Sequence, residues 1–303
     1  MGDYAITIDG LEKYYGSFKA LYGVNLKVNR GEILGFLGPN GAGKTTTIRC
    51  ILDHIRPQKG TIQVFGINPQ VNPSLIHEFT GYLPGELRLE DNFQVDQQLK
   101  YFSQLRGNKF DWSYVEELAQ RLNLDLTRSI KNLSSGNKQK VGIVQALMHK
   151  PDLLLLDEPT AGLDPLMQQE VYKLLREAQS AGATVFFSSH IISEVEALAE
   201  RVAIIRGGKI VEESTPKLLT EMAIRRVKIR FLEPIEIELF NTIEGVTLVS
   251  SRNGREITLQ VEGDLDRLIK TLAAYPVKDL QTETRSLEDI FLKYYETDHE
   301  EVG

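Results

Sequence analysis

The strongest constraint on this chain is the run Gly38-Pro39-Asn40-Gly41-Ala42-Gly43-Lys44-Thr45, which satisfies G-x-x-x-x-G-K-[ST] at every position. A phosphate chain needs backbone N–H groups curled around its oxygens, and glycines permit that curl without a Cβ in the way. Lys44 is then placed to reach the β- and γ-phosphates, and the Thr45 hydroxyl to ligate a bridging Mg²⁺. The flanks agree. Glu32 to Leu37 reads as a short buried strand and Thr45 to Leu52 as a helix, with Thr46 in its first turn. The loop therefore lies where a helix N-terminus faces an anion, which a turn that merely caps a helix does not require.

At 303 residues the chain has room for a catalytic domain of roughly 200 residues plus a small second one. A net charge of −7 argues against a nucleic-acid partner, which needs a basic face. Cys50 is the only cysteine, so no intrachain disulfide is possible and a reducing compartment is expected. No apolar run approaches the roughly 18 residues of a membrane helix, and the N-terminus lacks the charged-then-apolar order of a signal peptide. The expectation is a soluble, cytoplasmic chain that acts at a membrane only through another protein.

Strands and helices alternate through the first 215 residues. Ala5–Ile8 and Gly23–Val28 look like edge, antiparallel-type strands. Buried-type strands follow at 33–37, 152–156, 183–188 and 202–206, with helices at 44–53, 166–180 and 191–199. That alternation implies a mainly parallel, helix-covered sheet. Between Thr80 and Pro151 the pattern turns to helices alone, at 94–105, 112–122 and 137–149, which reads as an inserted subdomain over about 86–150. Past Thr215-Pro216 the order becomes strand 227–232, helix 235–242, hairpin 246–250 with 256–261, helix 264–274, strand 277–282 and a closing helix 287–295. This βαββαβ order predicts a small ferredoxin-like α+β domain over 222–303.

Two further clusters carry chemistry. Leu153-Leu154-Leu155-Leu156-Asp157-Glu158 is a buried strand that delivers two acids to the carboxyl edge of the sheet. There Asp157 can hold Mg²⁺, directly or through water, and Glu158 can polarise the water that attacks a γ-phosphate. Leu133-Ser134-Ser135-Gly136-Asn137 opens the last helix of the inserted block. It is either a well-capped helix start or a phosphate contact, since free N–H groups and a serine hydroxyl serve both purposes.

These elements, in this order, resemble the ATP-binding cassette (ABC) family over the first 215 residues. Ser134-Ser135-Gly136 stands where that family carries its Leu-Ser-Gly-Gly-Gln signature. Asp157-Glu158-Pro159-Thr160 and Ala161-Gly162-Leu163-Asp164 look like its second acidic motif and D-loop. Ser188-Ser189-His190 looks like its switch histidine, and Tyr15 resembles the aromatic that stacks on adenine. Taken singly these are weak: Asp164-Pro165 reads equally as a helix cap, and Tyr15 as a strand aromatic. The resemblance implies a P-loop NTPase core of ABC type binding ATP and Mg²⁺. Two copies would bind head to tail, with Lys44 and Asp157 of one and Ser134 of the other around each ATP. Glu158 would be the base, His190 would contact the γ-phosphate, and the dimer would drive integral membrane permease subunits from the inner face of the membrane.

The chain departs from the family in two places. Gly85 in Leu83-Pro84-Gly85-Glu86 stands where a glutamine Mg²⁺ ligand is usual, and Ser135 and Asn137 replace a glycine and a glutamine of the signature. These variants, with a C-terminal segment ending Ser286-Leu287-Glu288-Asp289-Ile290-Phe291, look most like the ATPases of bacterial drug, antibiotic, lipid or polysaccharide exporters. An importer ATPase and a nucleotide-dependent regulator without transport are the alternatives. A DNA-repair cassette would carry a long internal coiled coil, and a ribosome-acting factor two cassettes in one chain. Neither feature is present.

Overall fold

A computed structural model of the chain describes residues 3–107, 111–221, 225–261 and 265–283. The chain divides into two compact units, Met1–Ser214 and Thr215–Gly303. The first opens with a long hairpin of β1 (Tyr4–Tyr15) and β2 (Phe18–Asn29). Then β3 (Ile33–Leu37) runs into the phosphate loop, followed by α1 (Lys44–Ile51) and β4 (Lys59–Val64). α2 (Pro73–Phe79) leads to β5 (Thr80–Leu83). The inserted block follows as α3 (Val95–Leu105), α4 (Trp112–Arg121) and α5 (Ser135–Leu147). The chain then returns through β6 (Leu153–Asp157), α6 (Pro165–Ser180), β7 (Thr184–Ser189), α7 (Ile192–Leu198), β8 (Arg201–Arg206) and β9 (Lys209–Ser214).

Two sheets result. The hairpin and β4 form an antiparallel sheet in the order β2-β1-β4. The other has the order β5-β6-β7-β3-β8-β9, parallel except for its last pair. β3, β6 and β7 are buried at every residue, as central parallel strands must be. Leu34, Phe36, Leu153, Leu155 and Phe186 pack with Ile48 and Ile51 of α1 and with Ile6, Ile8, Leu26 and Val64 of the antiparallel sheet. Cys50 is buried in this core, and burial pushes its thiol up to about 12, so it behaves as an inert apolar side chain.

The edge pieces differ from the expectation. The first two strands extend well beyond 5–8 and 23–28, and β4, α2 and β9 were not anticipated. β4 buries only Ile62 and Val64, so its sequence carries little alternation; pairing with β1 makes it a strand. In the inserted block, Val95, Leu99, Val115, Leu118, Val141 and Val144 are buried. Arg121 fastens α4 to α6, donating to Glu170 at 2.6 Å and to Glu177 Oε1 at 2.8 Å.

The second unit contains α8 (Pro216–Glu221), β10 (Arg225–Phe231), β11 (Val246–Arg252), β12 (Glu256–Val261), α9 (Asp266–Leu272) and β13 (Val277–Glu283). Its strands form an antiparallel sheet in the order β11-β12-β10-β13. One face buries Val227, Ile229, Phe231, Ile257 and Leu259 under Phe240, Leu268 and Leu272. The helix expected at 235–242 is only a short 3₁₀ turn at Glu238–Thr242, because Pro234 and two β-branched isoleucines precede it. The closing helix expected at 287–295 lies outside the described residues.

Candidate active site

The parallel register sets the site. Leu37 at the tip of β3 pairs with Ser189, and Asp157 at the tip of β6 pairs with Ser188, so three strand ends stand in a row. The phosphate loop leaves this row, with Gly38 N donating to Ser189 O at 3.1 Å. Gly43 precedes α1 with φ +112°, a conformation that a side chain would strain. No side chain caps α1 and no acid sits in its first turn, so its free N–H groups and positive dipole end are open to an anion.

Lys44 is 6% exposed and curls back over the loop, donating to Gly38 O at 2.6 Å and Pro39 O at 3.2 Å. Its ammonium also lies 3.2 Å from Glu158 Oε1. Beside it Thr45 Oγ1 donates to Asp157 Oδ2 at 2.6 Å, and the other Asp157 oxygen accepts from Ser188 Oγ. Glu158 has φ +53°, uncommon for a residue with a side chain, and this turns its carboxylate back toward Lys44. The turn is held from both sides. Glu158 N donates to Ser188 O and Oγ at 3.2 Å each, while Glu158 O accepts from Gln139 Nε2 at 2.9 Å. The other Glu158 oxygen lies 2.8 Å from His190 Nδ1. Lys44, Glu158 and His190 therefore form one chain of contacts, with Thr45 and Asp157 alongside.

Other residues singled out in the sequence sit around this centre. Pro39 accepts from Ala42 N at 3.1 Å within the loop, Asn40 and Gly41 form its tip, and Thr46 is half-buried in α1. Ser134 and Ser135 are exposed at the start of α5, where Ser134 accepts from Asn137 N at 3.3 Å as the N-cap. A Cβ on Gly136 would lie 2.6 Å from Gly162 O, so the α5 start packs backbone to backbone on the loop after Glu158. Asp164 caps α6, accepting from Leu166 N and Met167 N at 3.1 Å each. Tyr15 ends β1, exposed, with Lys13 Nζ 5.4 Å from its ring centre. Gly85 lies against the acid at β6: a Cβ there would be 3.0 Å from Asp157 Oδ2. Glu86 is exposed.

Three supporting roles were not read from the sequence. Ser188 and Gln139 position Asp157 and Glu158, and Glu194 is buried with both oxygens bonded, one to Ser189 Oγ at 2.6 Å and the other to Thr160 Oγ1. The available signal was an acid four residues after His190, on the side of α7 that faces the strand it left.

The family profile described as ABC transporter matches residues 21–161. The daunorubicin resistance ATP-binding protein DrrA3 of Streptomyces coeruleorubidus is 31% identical over 304 residues, 96% of each chain. The bacitracin transport ATP-binding protein BcrA of Bacillus licheniformis is 39% identical over 211 residues, 69% of each chain. Among solved structures, one described as the ATP-binding subunit of an ABC transporter has a TM-score of 0.65 and 28% identity, over 71% of this chain and 91% of that one.

Proposed function

This chain belongs to the ABC transporter family and is an ATP-binding ATPase of that family; from that premise we propose that it powers export of a drug, antibiotic, lipid or polysaccharide through separate membrane permease subunits. The names of its relatives, for daunorubicin resistance and bacitracin transport, support the export reading. Among the described residues no helix is long and apolar enough to cross a membrane, which is why the proposal places the pathway in a partner. The chain would then sit on the cytoplasmic side of that partner.

The observation that carries the chemical reading is the meeting of Lys44, Thr45, Asp157, Glu158 and His190 at the open N-terminus of α1. Lys44 and the α1 N–H groups hold the triphosphate. Thr45 Oγ1 and Asp157 Oδ2 are hard oxygens 2.6 Å apart, a donor pair that fits Mg²⁺, which takes one or two protein oxygens and completes its shell with phosphate and water. An ion held by Thr45 and Asp157 would supply positive charge to offset that of the phosphates. Glu158 accepts the proton of the attacking water, and His190 Nδ1, 2.8 Å from it, steadies its orientation. His190 also contacts the γ-phosphate.

In this reading ATP is shared between two copies, with exposed Ser134 and half-buried Gly136 of one facing the phosphates held by the other. The test is Glu158→Gln, expected to keep ATP binding, lower turnover by ~10²- to 10⁴-fold and accumulate an ATP-dependent dimer in sedimentation. Near wild-type turnover would remove Glu158 from the role of base. Mixing Ser134→Arg with Lys44→Ala should restore little more than one composite site; full activity of a dilute monomer would end the shared-site reading.

A further inference from the structure

The second unit carries a basic cavity remote in sequence from every residue above. Asn253-Gly254, with φ of +52° and +63°, form the left-handed tip of the three-residue loop between β11 and β12, where Arg255 N donates to Arg252 O at 3.2 Å. Arg252 and Arg255 flank it. The turn is pinned to the end of β10 and to the chain beyond it, since Phe231 N donates to Arg255 O at 2.7 Å and Ile235 N to Gly254 O at 3.0 Å. The two arginines thus project from a fixed backbone.

Beside them opens a cavity of about 390 Å³, whose charged lining is Arg230, Arg252, Arg255, Lys278 and Glu256. Glu256 pairs with Arg230 at 3.0 Å. Arg252, Arg255 and Lys278 have no carboxylate partner among the described residues. One cavity of a chain with net charge −7 therefore gathers three cations that no carboxylate among the described residues pairs. Crowding like charges costs free energy that a bound anion recovers. Two guanidinium forks suit the paired oxygens of a phosphate, which carries one negative charge as a diester and about 1.5 to 2 as a monoester.

We propose that this cavity binds a phosphate group, either of a soluble phosphate compound or of an anionic phospholipid headgroup. Leu232, 57% exposed at the rim, gives the cavity an apolar lip as well as a basic wall.

The test uses the full chain and two probes. One is sedimentation with vesicles of phosphatidylcholine and phosphatidylglycerol against phosphatidylcholine alone. The other is calorimetric titration with inorganic pyrophosphate in a Lys44→Ala background, which silences the phosphate loop. Arg252→Gln with Arg255→Gln should weaken binding of the effective probe by about tenfold or more, with ATPase activity unchanged in the chain that retains Lys44. Lys278→Gln, on another strand, should weaken it about threefold and serves if the double variant folds poorly. Loss of vesicle binding identifies a headgroup, and loss of pyrophosphate binding a soluble ligand. Binding of neither probe, or equal binding by the parent and variant chains, overturns the proposal and leaves the ATPase reading untouched.

Discussion

Glu158 Oε1 lies 3.2 Å from Lys44 Nζ, so the proposed base and the phosphate-holding lysine are paired with each other. A triphosphate must take Lys44 away from that carboxylate. The pairing is a brake on binding, and removing the carboxylate's charge releases it. Glu158→Gln should therefore bind a non-hydrolysable ATP analogue severalfold more tightly than the parent chain, and Lys44→Ala much more weakly. Weaker analogue binding by Glu158→Gln would show that the carboxylate helps the ligand rather than competing with it.

Glu194 ties the loop after Glu158 to the strand end before His190 through Thr160 and Ser189. Glu194→Ala removes the carboxylate that accepts from two buried hydroxyls, leaving Ser189 Oγ its longer bond to Ile191 O at 3.3 Å, and should cost about 1–2 kcal/mol in urea unfolding. It should lower kcat with little change in KM, because neither hydroxyl belongs to the proposed ATP contacts. Glu194→Gln retains one acceptor oxygen and should fall between the two. Equal losses in kcat and KM would place Glu194 in ligand binding instead.

Gly85→Gln restores the family's usual residue, yet a Cβ at 85 meets Asp157 Oδ2 at 3.0 Å. Asp157 is fixed by Thr45 and Ser188, so the loop must move or the Thr45 bond must lengthen. The Mg²⁺ concentration for half-maximal ATPase activity should rise severalfold in Gly85→Gln and stay unchanged in Glu86→Ala. A lowered requirement would mean that the introduced amide finds the metal despite the crowding.

His149 is half-buried beside Thr80 O, and desolvation, with Arg106 nearby, lowers its pKa to about 4. A histidine kept neutral in the fold but free to charge when unfolded stabilises fully above its ordinary value near 6.5. That contribution disappears as pH falls from about 6.5 toward 4. Chemical denaturation should show stability dropping by up to ~3 kcal/mol across this window, and His149→Gln should flatten the drop. An unchanged slope in His149→Gln would assign acid sensitivity to other groups, with His54, also lowered by burial, the next to replace.

The central sheet and the row Lys44, Thr45, Asp157, Glu158 were legible because each chemical residue ends a buried apolar strand or opens a helix beside glycine. Such patterns are local, and the parallel sheet translates them into adjacency. β4 and β9 were not legible, because edge strands gain their identity from pairing rather than from a buried pattern. Ser188, Gln139 and Glu194 escaped for another reason. Their partners lie on separate elements, and a lone serine or glutamine carries no spacing that marks it as a support.

The strand row has a consequence in time. β3 leaves the ribosome early, yet Ile33 pairs with Val185 and Leu34 with Arg201. Until β7 and β8 emerge, the strand that carries the phosphate loop has no neighbours in its sheet, and apolar Ile33, Leu34 and Phe36 lack their final cover. The β1–β2 hairpin can close long before this, whereas the central sheet has to wait for distant chain. A nascent polypeptide therefore cannot assemble this loop into its sheet before β7 and β8 have emerged, and a ribosome that stalls earlier releases a fragment whose central apolar strand is unpaired.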